Sequence, residues 1–168
     1  SLSGYDVFWL AWFAWVPLLM IVMRGGLRVA MSAGAIAGAV QVMAMLYWLP
    51  GTVVRMGKSL PLGLVLLAIL VCVWSACLAG FSGLACHLHR GLRRADARYP
   101  VLRNLALVLM LPVLWVAFEY LFTSTMTALP WLFFLLGYSQ WNHPGVLQLA
   151  ALTGVFGVSF LIMLVNSG

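Results

Sequence analysis

Apolar residues run through this chain in long stretches between widely spaced charges. A helix needs about 20 apolar residues to cross a hydrocarbon core about 30 Å thick. Val7–Met23 is uncharged over 17 residues and ends at Arg24. It carries Pro17, which a bilayer helix accommodates with a kink. Val29–Val54 is uncharged over 26 residues, and Tyr47, Trp48 and Pro50-Gly51 near its end read as aromatic anchors followed by a helix stop. Ser59–Cys86 is uncharged over 28 residues, which predicts a tilted helix or interfacial ends. From Asn104 to Gly168 the one formally charged side chain is Glu119, so punctuation divides this part into spans Asn104–Phe122 and Val146–Val165.

Between those two spans, residues 123–145 contain Pro130, Gly137, Pro144 and Gly145 among several polar groups. Such a segment cannot continue as lipid-exposed helix, so it reads as re-entrant or interfacial. Ala30, Gly34 and Gly38 recur every four residues in the second span, a small-residue face that lets another backbone approach closely. The expected architecture is all-α: a polytopic membrane helix bundle of about five spans plus an outer segment, forming a single transmembrane domain over residues 1–168. No tandem repeat or linker divides it.

Composition agrees. Of 168 residues, 65% are hydrophobic and 7% charged, with mean hydropathy +1.09, too few polar side chains to cover a water-soluble globule. The net charge of +6 sits in short clusters between apolar runs, which argues for membrane orientation and against nucleic acid. Arg24, Arg28, Arg90, Arg93, Arg94, Arg98 and Arg103 fall in alternate loops, opposed by Arg55 and Lys58 in the loop between. The positive-inside rule therefore places Ser1 and segment 123–145 outside and Gly168 in the cytoplasm. An outward start with no preceding helix, at a residue other than Met, suggests an upstream span beyond this sequence.

Candidate chemistry is sparse. Glu119 is an ionisable group within a span, read as functional by default, with a hydrogen-bonded structural carboxylate as the other reading. Pro130, Trp131, Tyr138, Ser139 and Gln140, beside Trp141, Asn142 and His143, mix aromatic faces with amide and hydroxyl groups. That mixture suits a lipid headgroup and chain, and equally suits an aromatic belt. Ser139 and His143 lack a third orienting group for nucleophilic catalysis. Cys72, Cys77, Cys86, His87 and His89 complete no zinc spacing, and the thiols read as small hydrophobes. No metal or cofactor is expected. A basic run from Arg90 to Arg103 would attract anionic headgroups, although its orienting role is a sufficient explanation.

Pro130-Trp131 followed by Gly137-Tyr138-Ser139-Gln140 resembles the membrane domain of bacterial apolipoprotein N-acyltransferases. The likeness extends to Pro112-Val113-Leu114-Trp115 with Glu119, and to Gly154-Val155-Phe156-Gly157-Val158-Ser159-Phe160-Leu161 with Asn166. Tyr5-Asp6 leading to Pro17-Leu18-Leu19, and Leu46-Tyr47-Trp48, are similar and less specific. The resemblance implies an enzyme of the bacterial inner membrane that moves an acyl chain from a phospholipid to the amino group of a lipoprotein's diacylglyceryl-cysteine. It implies a glutamate–lysine–cysteine triad in a nitrilase-like domain outside these 168 residues, so no catalytic residue is assigned here. This chain alone is expected to bind lipid and lipoprotein substrate through Glu119, Pro130, Trp131, Tyr138, Ser139 and Gln140. One departure is Phe122-Thr123 and Thr127-Ala128-Leu129 where the family often carries an arginine, which removes a candidate partner for Glu119 or a headgroup phosphate. The alternative is a nonenzymatic scaffold or small transporter with Glu119 on its path.

Overall fold

The structure, a computed structural model, describes residues 11–94, 99–125, 135–140 and 144–167, and of residues 138, 144 and 147 the backbone only. Regular structure among the described residues is helical: α1 (Val16–Arg24), α2 (Leu27–Leu46), α3 (Leu49–Arg55), α4 (Leu60–Arg94), α5 (Pro100–Thr125), a 3-10 helix (Leu136–Gln140) and α6 (Pro144–Ser167). Among the described residues, four helical stretches are long and apolar enough to cross a membrane: Leu27–Arg55, Leu60–Arg94, Pro100–Thr125 and Gln148–Ser167. Their outward side chains are themselves apolar, among them Ile36, Val40, Ile69 and Leu121. A helix bundle solvated by lipid has this character.

The helices depart from the expected boundaries in physically simple ways. Residues 7–10 of the first expected span lie outside the described residues, and the described helix within it is the nine-residue α1. Pro17 is its second residue rather than a mid-span kink, a position where a missing N–H leaves no bond unmade. Pro50-Gly51 does not stop the second span. Pro50 occupies the first turn of α3, so the helical path continues to Arg55, and Trp48 Nε1 donates to the Met45 carbonyl at 2.7 Å beside the break. The chain then turns at Gly57, φ 77°, with Gly57 N–H donating to Val54 O at 2.9 Å and Lys58 N–H to Val53 O at 3.2 Å, the paired bonds of a Schellman stop.

α4 runs past the expected end at Cys86 for eight further residues to Arg94. Hydropathy marks where lipid ends, whereas the helix ends only where its backbone bonding fails, and no proline intervenes before Arg94. Its last turn carries Arg93 and Arg94, cations that complement the negative helix end. α5 likewise extends the expected 104–122 to Pro100–Thr125, and α6 extends 146–165 to Pro144–Ser167. α6 is kinked at Gly154, whose φ of 71° and ψ of 177° belong to a region accessible to glycine alone.

The chain forms two compact units. In Met20–His87, the face of α2 bearing Ala30, Gly34, Gly38 and Val42 is buried against α4. A Cβ at Gly34 would collide with the Leu78 carbonyl oxygen and Ser82 Oγ, and one at Gly38 would lie 2.8 Å from Ser75 Cα. The expected close approach therefore occurs, and Trp74 Nε1 donates across it to Gln41 Oε1 at 2.9 Å. Ser1–Leu19 and Leu88–Gly168 make up the other unit, where α5 packs on α6 and α6 on the 3-10 helix. Its core includes Trp15, Leu111, Trp115, Phe122, Leu136, Val158, Ile162 and Met163.

Candidate functional site

The buried face of α5 carries Leu111, Pro112, Trp115, Glu119 and Phe122, a spacing of three and four that keeps them in one row. Trp115 and Glu119 sit one turn apart in that row. The indole Nε1 donates to Glu119 Oε1 at 2.8 Å. The same oxygen accepts the backbone N–H of Leu136 at 2.7 Å. Leu136 is the first residue of the 3-10 helix, whose leading N–H groups have no partner within their own helix. The next, Gly137 N–H, donates to Ser159 Oγ on α6 at 2.9 Å. A carboxylate from α5 and a hydroxyl from α6 thus cap a short helix that belongs to neither.

Gly137 is required where it stands. A Cβ there would lie 2.5 Å from the Val155 carbonyl oxygen and 2.8 Å from Val155 Cγ2, so the 3-10 helix rests directly on the α6 backbone. Ser139 Oγ turns back to donate to Leu136 O at 2.7 Å, and Gln140 Nε2 donates to Ser139 Oγ at 3.0 Å. Gln140, 1% exposed, accepts a 3.4 Å hydrogen bond from Trp12 Nε1 on its Oε1. Lower on α6, Asn166 Oδ1 accepts Trp15 N–H at 3.1 Å, while its Nδ2 donates to Ala11 O at 3.0 Å and Ile162 O at 2.8 Å. The Trp15 and Trp115 rings meet with centroids 4.4 Å apart.

Glu119 is 3% exposed, and its second oxygen, Oε2, is buried without a hydrogen-bond partner among the described residues. The Ser159 hydroxyl is a polar neighbour of the same carboxyl group. A buried carboxylate oxygen left over from a saturated neighbour is an acceptor for a donor from a ligand or water.

Over residues 1–168 the chain matches the family model described as the apolipoprotein N-acyltransferase N-terminal domain. The chain belongs to that family. Apolipoprotein N-acyltransferase of Geobacter metallireducens is 35% identical to it over 159 residues, covering 94% of this chain and 28% of the relative. Apolipoprotein N-acyltransferase 1 of Treponema denticola is 25% identical over 163 residues, covering 97% of this chain and 25% of the relative. The chain therefore spans about a quarter of the length of these curated relatives. No solved structure matches it.

Within this N-acyltransferase domain, three of the sequence-predicted residues come together: Glu119, Ser139 and Gln140 all touch the 3-10 helix or its start. Tyr138 lies in that helix by its backbone. Pro130, Trp131, Trp141, Asn142 and His143 lie outside the described residues. Cys86 is buried, with Sγ 3.8 Å from the Gly25 carbonyl oxygen, and no group of three or more His, Cys, Asp or Glu suited to a metal occurs among the described residues. Ser159, Asn166, Trp115, Trp12 and Trp15 carry the network without having been singled out as site residues. The signal available for two of them was positional: Ser159 and Asn166, seven residues apart on α6, share one face of an otherwise apolar helix.

Proposed function

We propose that these 168 residues are the membrane platform of an apolipoprotein N-acyltransferase, receiving phospholipid and lipoprotein substrate at segment 123–145. The observation that carries the reading is the capped 3-10 helix: two spanning helices spend a buried carboxyl and a buried hydroxyl on holding this one segment. Buried polar groups are costly and need a return, which positioning a binding segment supplies. The family match supports the acyl-transfer setting. Acyl transfer itself is assigned to a part of the enzyme beyond these residues. The chain acts as one transmembrane domain in the inner membrane, with segment 123–145 on the outer face and the arginine-rich connection in the cytoplasm, as the basic excess in alternate loops indicates.

In this proposal Trp131 and Tyr138 pack on the acyl chain or headgroup, flanked by Pro130 and Ser139. Gln140 and Glu119 supply the polar contacts, chiefly through the segment they hold, with Glu119 Oε2 the polar atom left for a ligand. The test is Trp131→Ala in the full-length enzyme, read by mass spectrometry of lipoprotein N-termini in cells. The proposal expects N-acylation to drop at normal protein level, with Leu152→Ala, an exposed apolar position on α6, as the unaffected control. Unchanged N-acylation removes Trp131 from the site.

A further inference from the structure

Pro17, in the first turn of α1, has no N–H to give to the Phe13 carbonyl four residues back, so α-helical bonding cannot run unbroken through this point. The helix begins at Val16, whose N–H donates to Phe13 O at 3.2 Å in a tighter turn, and residues 11–15 before it are not α-helical. Within that turn, Ala11 O and Trp15 N–H stand in the i, i+4 relation that an α-helix pairs directly. Each bonds Asn166 instead. Trp15 N–H donates to Asn166 Oδ1 at 3.1 Å, and Asn166 Nδ2 donates to Ala11 O at 3.0 Å. The side-chain amide is wedged into an open turn, on the two backbone groups that a closed turn would join. It is 4% exposed, and its remaining N–H goes to Ile162 O at 2.8 Å on its own helix. It follows the apolar run Leu161–Val165, where burying an amide is costly unless its bonds are made.

The open turn carries two indoles, and between them they reach both ends of the 3-10 helix, all within one compact unit. Trp12 Nε1 donates to Oε1 of Gln140, the last residue of that helix, at 3.4 Å. The Trp15 ring packs on Trp115 with centroids 4.4 Å apart. Trp115 in turn donates to Glu119 Oε1, the oxygen that accepts the N–H of Leu136, the first residue of the 3-10 helix. Asn166 makes no hydrogen bond to either end in the network described, yet it is bonded to the turn from which both contacts start. Closing that turn into α-helix would change the backbone dihedrals around Trp12 and with them the direction of its indole.

We propose that Asn166 is a positioning residue: by holding the turn over residues 11–15 open, it sets Trp12 and Trp15 against the two ends of the 3-10 helix and so fixes that helix for phospholipid. The consequence for lipid rests on the function proposed above, whereas the positioning itself does not. Precision of this kind belongs to a supporting group that touches no ligand yet decides how tightly a binding element is held.

The experiment uses the full-length enzyme in detergent, with Asn166→Leu, Trp12→Phe, the pair of them, and Val165→Ala as the control at an exposed neighbouring position. Hydrogen exchange is followed peptide by peptide, and acyl transfer from phosphatidylethanolamine in mixed micelles gives KM and kcat. In Asn166→Leu, Ala11 O and Trp15 N–H can bond each other, so melting should stay close to that of the parent. Exchange over residues 136–140 should nonetheless quicken about tenfold, and KM for phospholipid should rise about tenfold with kcat kept, the worth of one ordinary hydrogen bond. Trp12→Phe, which removes the indole N–H alone, should give a smaller change of the same kind. The pair should be no worse than Asn166→Leu, since both act through one contact. Parent-like exchange over 136–140 in Asn166→Leu overturns the proposal, as does exchange quickened equally in every helix, or additive effects in the pair. Where Asn166→Leu fails to accumulate, parent-like exchange over 136–140 in Trp12→Phe overturns it. Faster exchange with KM unchanged upholds the positioning and overturns the lipid-receiving reading instead.

Discussion

Glu119 concentrates two donors on one oxygen, Trp115 Nε1 and Leu136 N–H, and leaves the other oxygen bare among the described residues. Glu119→Ala orphans both donors and should lower stability by about 2–5 kcal/mol, read as a lower melting temperature in detergent. Glu119→Gln keeps an acceptor on Oε1, so it should melt close to the parent protein; if Oε2 contacts substrate, its N-acylation falls nonetheless. Ser159→Ala removes the acceptor of Gly137 N–H and should cost about 1–3 kcal/mol. Melting unchanged in Ser159→Ala would mean the 3-10 helix is not held by that bond. Glu119 was legible in the sequence because it is a lone charge in a long apolar stretch. Its partner Leu136 N–H was not, since a backbone donor has no sequence signature and the pairing spans 17 residues.

At the scale of elements, two glycines set helix geometry for different reasons. Gly34 permits the approach of α2 to α4, and Gly34→Ala forces a methyl into the Leu78 carbonyl, an overpacking expected to cost about 1–3 kcal/mol. Gly154 permits the kink in α6, and Gly154→Ala should cost about as much through backbone strain, although space around it is open. Thermal melting of the two variants checks both, and an undiminished melting temperature for Gly34→Ala would contradict the packing described for α2. The Gly34 face was readable because small residues every four positions have few other uses in a span. The Gly154 kink was not, because an isolated glycine in an apolar run is compatible with straight helix. Helix ends were the least readable feature: apolar runs end with lipid, and α4 continues past that limit on residues that bond as helix in water.

For the whole molecule, charge and length between them carry most of what sequence reveals. Twelve charged residues in 168 leave lipid as the solvent, and the helices Leu27–Arg55, Leu60–Arg94, Pro100–Thr125 and Gln148–Ser167 follow from that. Which residues gather around the 3-10 helix depends on the contact of α5 with α6, which no local pattern specifies. The topology proposed from the basic loops predicts that single cysteines in segment 123–145 react with an impermeant maleimide on intact cells while those at Arg94 do not; the reverse pattern would invert the assignment. The central claim, that segment 123–145 receives phospholipid, is tested most directly by a photoactivatable phospholipid in membranes carrying the full-length enzyme, with labelled peptides located by mass spectrometry. Saturable labelling within residues 130–140, competed by unlabelled lipid and weakened in Glu119→Ala, is the predicted result. Labelling confined to the exposed apolar faces of α2 and α4, without saturation, would contradict it.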